Sequence, residues 1–168
     1  MTGTNGSERD KWAAWVLDRS HGGDAVQKER SLEYLRPIRD RVLANAGIGD
    51  GDVVLDVGTG DGLIGFGALP LLGSGHVIFS DLSPALLDTC RAAAEALGVA
   101  DRSRFVQASA DDLTSVSDSS VDAVTTRSVL IYVDDKAAAF REFRRVLRPG
   151  GRVSIFEPIN NHFPWDST

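Results

Sequence analysis

Two carboxylates stand where an open α/β sheet does its chemistry. In VVLDVGTGDG, Val53 to Gly62, an apolar run carries Asp56 near its end and passes straight into Gly58, Gly60 and Gly62. Such a run reads as a buried parallel strand, and the glycines as a tight loop that opens a helix. Glycine permits positive φ and lets the backbone come close to a bound molecule. The crevice beyond the strand tips is where such sheets take ligands. A dinucleotide fingerprint, G-x-G-x-x-G, would need its third glycine at position 63, which is Leu63. Asp56 would also repel a pyrophosphate. The same charge suits a ligand that carries an ammonium group.

S-adenosylmethionine (SAM) has that ammonium, and a cationic sulfonium besides. The second acid supports this ligand. HVIFS, His76 to Ser80, reads as the next strand, and Asp81 ends it. An acid at the end of a second strand typically accepts hydrogen bonds from ribose hydroxyls.

The elements that must hold these acids alternate, as a doubly wound sheet requires. Gly62 to Leu72 reads as the first crossover helix. SPALLDTCRAAAEALG follows Asp81 as a helix, with Ser83 as N-cap, Pro84 in the first position and Gly98 as the stop. Arg104 to Ala108 reads as a third strand and Val121 to Thr126 as a fourth. A helix over Asp134 to Leu147 has aspartates at its start and arginines at its end. Pro149-Gly150-Gly151 makes a turn into a fifth strand, Arg152 to Phe156. Ahead of the sheet, Trp12, Trp15 and Val16 fall at helical spacing, as do Leu32, Leu35, Ile38, Val42 and Leu43. HGGD, His21 to Asp24, separates these two segments, and Pro37 is expected to kink or split the second. The expected organisation is a helical cap over residues 1–48 and a ligand-binding core over 49–168.

Taken together, LDVGTGDG, FSDLS, ASADDL, SVDAVTTRSVLIYVDD and LRPGGRVSIFEP occur in the order and spacing of the class I SAM-dependent methyltransferases, which the chain resembles from about Asp50 to Pro158. The closest flavour is the small-molecule group that includes the quinone C-methyltransferases. The resemblance implies an α/β, doubly wound, Rossmann-like parallel sheet of order 3-2-1-4-5 behind N-terminal helices, with SAM as cofactor. It also implies roles. Backbone at Gly58, Thr59 and Gly60 holds the methionine part, and Asp56 its ammonium, directly or through water. Asp81 binds the ribose hydroxyls and Leu82 packs on adenine. The Ala110 N–H and the Asp111 side chain read the adenine edge, and main chain at Arg127 and Ser128 closes the methionine side. Asp111 reads equally, and Asp112 more readily, as part of a capping pair on a solvated loop.

SAM methyl transfer needs alignment and exclusion of water more than a reactive side chain. Absence of a catalytic triad is therefore no objection. A general base is not evident, because Leu130-Ile131-Tyr132-Val133 stands where related enzymes carry histidine. Tyr132 could orient a substrate hydroxyl, and Arg127 could anchor an anionic substrate or pair with an acid. His21 and His162 lie outside the motifs, where both could approach the pocket mouth. Each reads more readily as surface than as base, and His21 is kept as a weak catalytic candidate beside Tyr132 and Arg127. None of the three histidines nor the single cysteine has metal-ligand spacing.

Composition narrows the partners. A formal net charge of −6 over 168 residues argues against nucleic acid. No apolar run reaches membrane-spanning length. No export signal precedes Trp12, and the lone Cys90 suits a reducing cytoplasm. Arg141, Arg144, Arg145 and Arg148 cluster at a helix end, where cations suit the dipole and a solvated face is expected.

Family members continue through strands six and seven, whereas ten residues follow Pro158 here. That leaves the fifth strand, with Val153, Ile155 and Phe156, as an open edge that invites pairing. Three outcomes are expected: the tail covers it, a second copy covers it as a homodimer, or the chain is a piece. Two functions follow. One is SAM-dependent methylation of a small molecule at O, N or C. The other is a SAM-binding partner or sensor without methyl transfer. An NAD-dependent enzyme is disfavoured by Leu63 and Asp56.

Overall fold

The computed structural model describes residues 25–158. Its elements are helix α1 (Ala25–Ala46), strand β1 (Val53–Val57), helix α2 (Leu63–Ala68) with a 3-10 turn Leu69–Leu71, β2 (His76–Asp81), α3 (Pro84–Ala96), β3 (Ser103–Gln107), β4 (Val121–Arg127), a 3-10 turn Leu130–Tyr132, α4 (Lys136–Val146) and β5 (Leu147–Phe156). Every strand pair is parallel and the order is β3-β2-β1-β4-β5, as expected.

The central strand explains the layering. All five residues of β1 are buried, so both faces of the sheet must be covered. On one face Val54, Val77, Phe79 and Ala123 pack under Val42, Leu43 and Ala46 of α1, Ile64 and Ala68 of α2, and Leu87 and Cys90 of α3. On the other, Leu55, Val57, Ile78 and Val124 pack under Ala139, Phe143 and Val146 of α4 and under Leu113 and Val116 of the loop after β3. Phe79 is fully buried between Phe66 and Phe105, at centroid distances of 4.8 and 5.3 Å. Burial of one such ring contributes roughly 1.5–3 kcal/mol.

Local signals place most boundaries. Ser83 caps α3 by accepting from the Leu86 N–H at 3.3 Å, and Pro84 occupies the first turn. Asp135 caps α4 through the Ala138 N–H at 2.8 Å. Leu147 to Gly151 joins β5 through a shift in register against β4 between Val121 and Ala123. The fifth strand therefore begins earlier than the proline-glycine turn suggests.

Pro37 does not split its helix. α1 runs from Ala25 to Ala46 through it. Proline removes one helical hydrogen bond at a cost of about 3 kcal/mol. Glu33, Arg36 and Pro37 are all exposed, so the proline lies on the outer part of the helix. Deeper in, the Ser154 hydroxyl donates to the Val42 carbonyl at 2.8 Å and fastens α1 to β5. Trp12, Trp15, His21 and His162 lie outside the described residues.

The arginine cluster is not uniformly a solvated face. Arg141, Arg144 and Arg148 are exposed. Arg145 is half-buried and donates to the Leu113 and Val116 carbonyls at 2.8 and 2.9 Å, while Glu142 accepts from the Leu113 N–H at 2.8 Å. Together they fix the irregular loop between β3 and β4.

A candidate cofactor site at the strand tips

Asp56 sits in the row Phe79–Asp56–Thr125, on the face that α2 covers. Gly65 makes that approach close, since a Cβ there would fall 2.3 Å from the Phe79 ring. The approach brings the Gly65 N–H to Asp56 Oδ2 at 3.1 Å. Thr59 Oγ1 donates to the same oxygen at 2.6 Å, and Thr125 Oγ1 donates to Oδ1 at 2.9 Å. Asp56 is 1% exposed. Burial pushes its pKa up to about 6, against the lowering effect of the Thr59, Thr125 and Gly65 bonds and of the Arg127 charge. Its carboxylate is thus the internal brace of the glycine loop.

The loop itself bridges β1 and β2. The Thr59 N–H donates to the Ser80 carbonyl at 2.9 Å. The Gly60 N–H donates to Asp81 Oδ2 at 2.9 Å, and the Ser83 N–H to Asp81 Oδ1 at 2.9 Å. Asp81 is only partly exposed, and burial raises its pKa despite the Ser83 and Gly60 bonds. Gly58 has φ +64, and a Cβ on it would fall 2.3 Å from Val129. The loops after β1 and β4 therefore touch across the cleft, and only glycine allows it.

Three further stretches line the same edge. Leu82 is 49% exposed, a bare apolar side chain beside Asp81, with its carbonyl held by Gln107 Nε2 at 3.1 Å. Ala110 is buried, and the Asp111 carboxylate accepts from the Ser109 hydroxyl. Asp112 accepts from the Thr114 N–H at 3.3 Å and stays exposed. At the tip of β4, Arg127 and Ser128 are half-buried, and Ser128 takes φ +57. Tyr132 is 53% exposed on the 3-10 turn beyond. The structure thus brings Asp56, Gly58, Thr59, Gly60, Asp81 and Leu82 to one edge with Ala110, Asp111, Arg127 and Ser128. Among the described residues, no group of three or more His, Cys, Asp or Glu is placed to hold a metal ion.

Two supports escaped the sequence reading. Glu157, just past β5, accepts from the Val129 and Leu130 N–H groups, each at 2.9 Å. An acid closing a strand was the available signal, the same one that marks Asp56 and Asp81. Cys90 donates from α3 to the Gly60 carbonyl, with Sγ at 3.3 Å. Nothing in its sequence context announced that contact.

The acids matter for what the cleft accepts. The Asp81 carboxylate, already accepting from Gly60 and Ser83, leaves acceptor capacity beside the exposed Leu82 side chain. A cation is welcome near Asp56, and a pyrophosphate is not.

Comparison with known proteins agrees with this geometry. Residues 54–151 match the family described as a methyltransferase domain. The chain is 38% identical over 117 residues to tRNA 5-carboxymethoxyuridine methyltransferase of Escherichia coli K12, covering 69% of this chain and 43% of that protein. It is 38% identical over 153 residues to the ubiquinone/menaquinone biosynthesis C-methyltransferase UbiE of Hahella chejuensis, covering 90% of this chain and 61% of that one. Among solved structures, geranyl diphosphate methyltransferase in complex with SAM superposes with a TM-score of 0.69 at 28% identity, over 79% of this chain and 54% of that one. The chain spans about half the length of the curated relatives it matches. No helix among the described residues is long and apolar enough to cross a membrane. The glycine loop, the acid closing β2 and the 3-2-1-4-5 sheet make this chain a member of the class I SAM-dependent methyltransferases.

Proposed function

We propose that this chain binds SAM at the strand tips and transfers its methyl group to a small-molecule acceptor at O, N or C. The observation that carries the reading is the bond between Gly60 and Asp81 at 2.9 Å. It joins the loop that would hold methionine to the acid that would hold ribose. In this reading Gly58, Thr59 and Gly60 present backbone to the methionyl part. Asp56 favours the ammonium through the Thr59 hydroxyl and the loop it braces. Asp81 takes the ribose hydroxyls, Leu82 lies on adenine, and Ala110 and Asp111 face its edge.

Bound SAM supplies an activated sulfonium methyl, and the chain supplies alignment and a dry site. Arg127 and Ser128 bound the methionine side with main chain. Ile131 and Tyr132, both exposed, offer an apolar and aromatic wall to an acceptor. The relatives differ by name, one a tRNA 5-carboxymethoxyuridine methyltransferase and the other a C-methyltransferase of ubiquinone/menaquinone biosynthesis. The net charge of −6 favours a small molecule over tRNA here.

The test has two arms. Calorimetry with SAM should show binding by the wild type and severe weakening in Asp81→Ala. Unchanged affinity in that variant would remove Asp81 from the site. Incubation with labelled SAM and a metabolite extract should move label to a small molecule. Binding without transfer would favour the second reading, a SAM-binding partner or sensor. The segment Leu130 to Val133, which lacks histidine, is the observation on that side.

A further inference from the structure

Four arginines among the described residues are half-buried: Arg39, Arg102, Arg127 and Arg145. Three of them have partners. Arg39 pairs with Asp40, Arg102 donates to the Leu69 and Gly73 carbonyls, and Arg145 is bound by Glu142, Asp118 and two carbonyls. Arg127 differs. No hydrogen bond or ion pair among the described residues uses its guanidinium. Its five N–H donors, held partly out of water, find no acceptor among the described residues, so an anion within reach would bind there.

Its place in the fold says where that anion lies. Arg127 pairs with Phe156, which packs against the cluster under α1 and α2. Residues opposed across a ladder share a face, so the arginine stands on that side of the sheet. Thr125, two residues earlier, is on the same face and donates to Asp56. Arg127 is close enough to oppose the effect of burial on Asp56. Asp56 is not its hydrogen-bonded partner: its oxygens accept from Thr59, Gly65 and Thr125, and no bond from Arg127 is among them. The adjoining Ser128 and Val129 bring the β4 tip onto Gly58. The Arg127 guanidinium therefore flanks the junction of the glycine loop with the β4 loop.

We propose that the Arg127 side chain is a carboxylate anchor that takes the α-carboxylate of the cofactor's methionine. This rests on the SAM reading above. It goes beyond it by giving the side chain a role there, where that reading uses only main chain. The methionyl end is a zwitterion. Loop backbone and the field of Asp56 suit its ammonium, and a guanidinium suits its carboxylate through two parallel hydrogen bonds. An anionic group on the methyl acceptor is the other source of the same chemistry.

Decarboxylated SAM separates the two sources, since it keeps the adenosyl group and the sulfonium and lacks only the carboxylate. Calorimetry is run with both ligands on the wild type, Arg127→Gln and Arg127→Lys. The wild type should prefer SAM over the decarboxylated form by about tenfold or more. Arg127→Gln should bind both alike, near the wild-type affinity for decarboxylated SAM. Arg127→Lys should fall between. Decarboxylated SAM thus reports whether the Gln variant keeps its fold. Equal affinities in the wild type would assign the guanidinium to an anionic acceptor and overturn the proposal. Equal losses for both ligands in Arg127→Gln would also overturn it, by making Arg127 a prop of the cleft. A wild type that binds neither ligand would bring down the SAM reading itself.

Discussion

The Cys90 thiol donates to the Gly60 carbonyl, so α3 holds the glycine loop from beneath while Asp81 holds the Gly60 N–H. Burial pushes the thiol's pKa up to about 12, with Asp56, Asp61 and Asp81 adding to the shift. It is therefore a donor at every physiological pH. Cys90→Ala should cost about 1 kcal/mol of stability and weaken SAM binding several-fold, because a part-buried carbonyl loses its donor. Cys90→Ser should recover most of the binding. In the native wild type, a thiol reagent at neutral pH should modify Cys90 only as fast as the protein opens. Rapid labelling of the folded chain would contradict this placement.

Asp56 should make both stability and cofactor affinity depend on pH. Its ordinary value is 3.8 and its folded value about 6. Between these the folded state holds a proton that the unfolded state has released. Its contribution to stability is therefore fully present below pH 3.8 and declines by about 3 kcal/mol as pH rises through 6. Asp56→Asn should flatten that part of the profile in urea melts taken from pH 4 to 7. A cationic ligand favours the ionised form, so SAM affinity should fall as pH drops below about 6. A pH-independent affinity over that range would show that Asp56 does not feel the ligand.

Glu157 should be replaceable by an amide but not by a methyl group. Its Oε1 accepts from two consecutive N–H groups, and its Oε2 is buried with no hydrogen-bond partner among the described residues. Glu157→Gln keeps the accepting oxygen and should change stability by less than about 1 kcal/mol. Glu157→Ala leaves both N–H groups unpaired and should cost about 2–4 kcal/mol in denaturant unfolding.

Arg145 should be tested through the loop it ties down. Arg145→Lys cannot reach the Leu113 and Val116 carbonyls together with Glu142, because an ammonium lacks the planar fork. Arg145→Ala should cost about 2 kcal/mol, chiefly from the lost bonds to carbonyls, since the ion pairs are solvent-screened. Hydrogen exchange over residues 108–120 should rise in both variants.

Much of this architecture is legible in the sequence. The strand order follows from the family resemblance, and the α3 cap at Ser83 and the acids closing β1 and β2 from capping chemistry and strand-end position. Facing was harder. Asp56 lies in a strand buried on both sides, so no polar alternation reveals that its carboxylate turns inward to Thr59, Thr125 and Gly65. Thr125 is 69 residues away in sequence, and only the register of β1 against β4 joins them. Pro37 misled because local propensity takes no account of tertiary packing. Val42, Leu43 and Ala46 hold α1 on the sheet regardless. Arg145 read as a surface cation because the loop it binds has no periodic signal of its own.

Ser128 carries a left-handed backbone without being glycine, its N–H donating to Phe156 at 2.8 Å and its two successors held by Glu157. That turn is set before any ligand arrives. Its loss of conformational entropy falls within folding and not within association, so this wall of the cleft should meet its ligand without a disorder-to-order penalty.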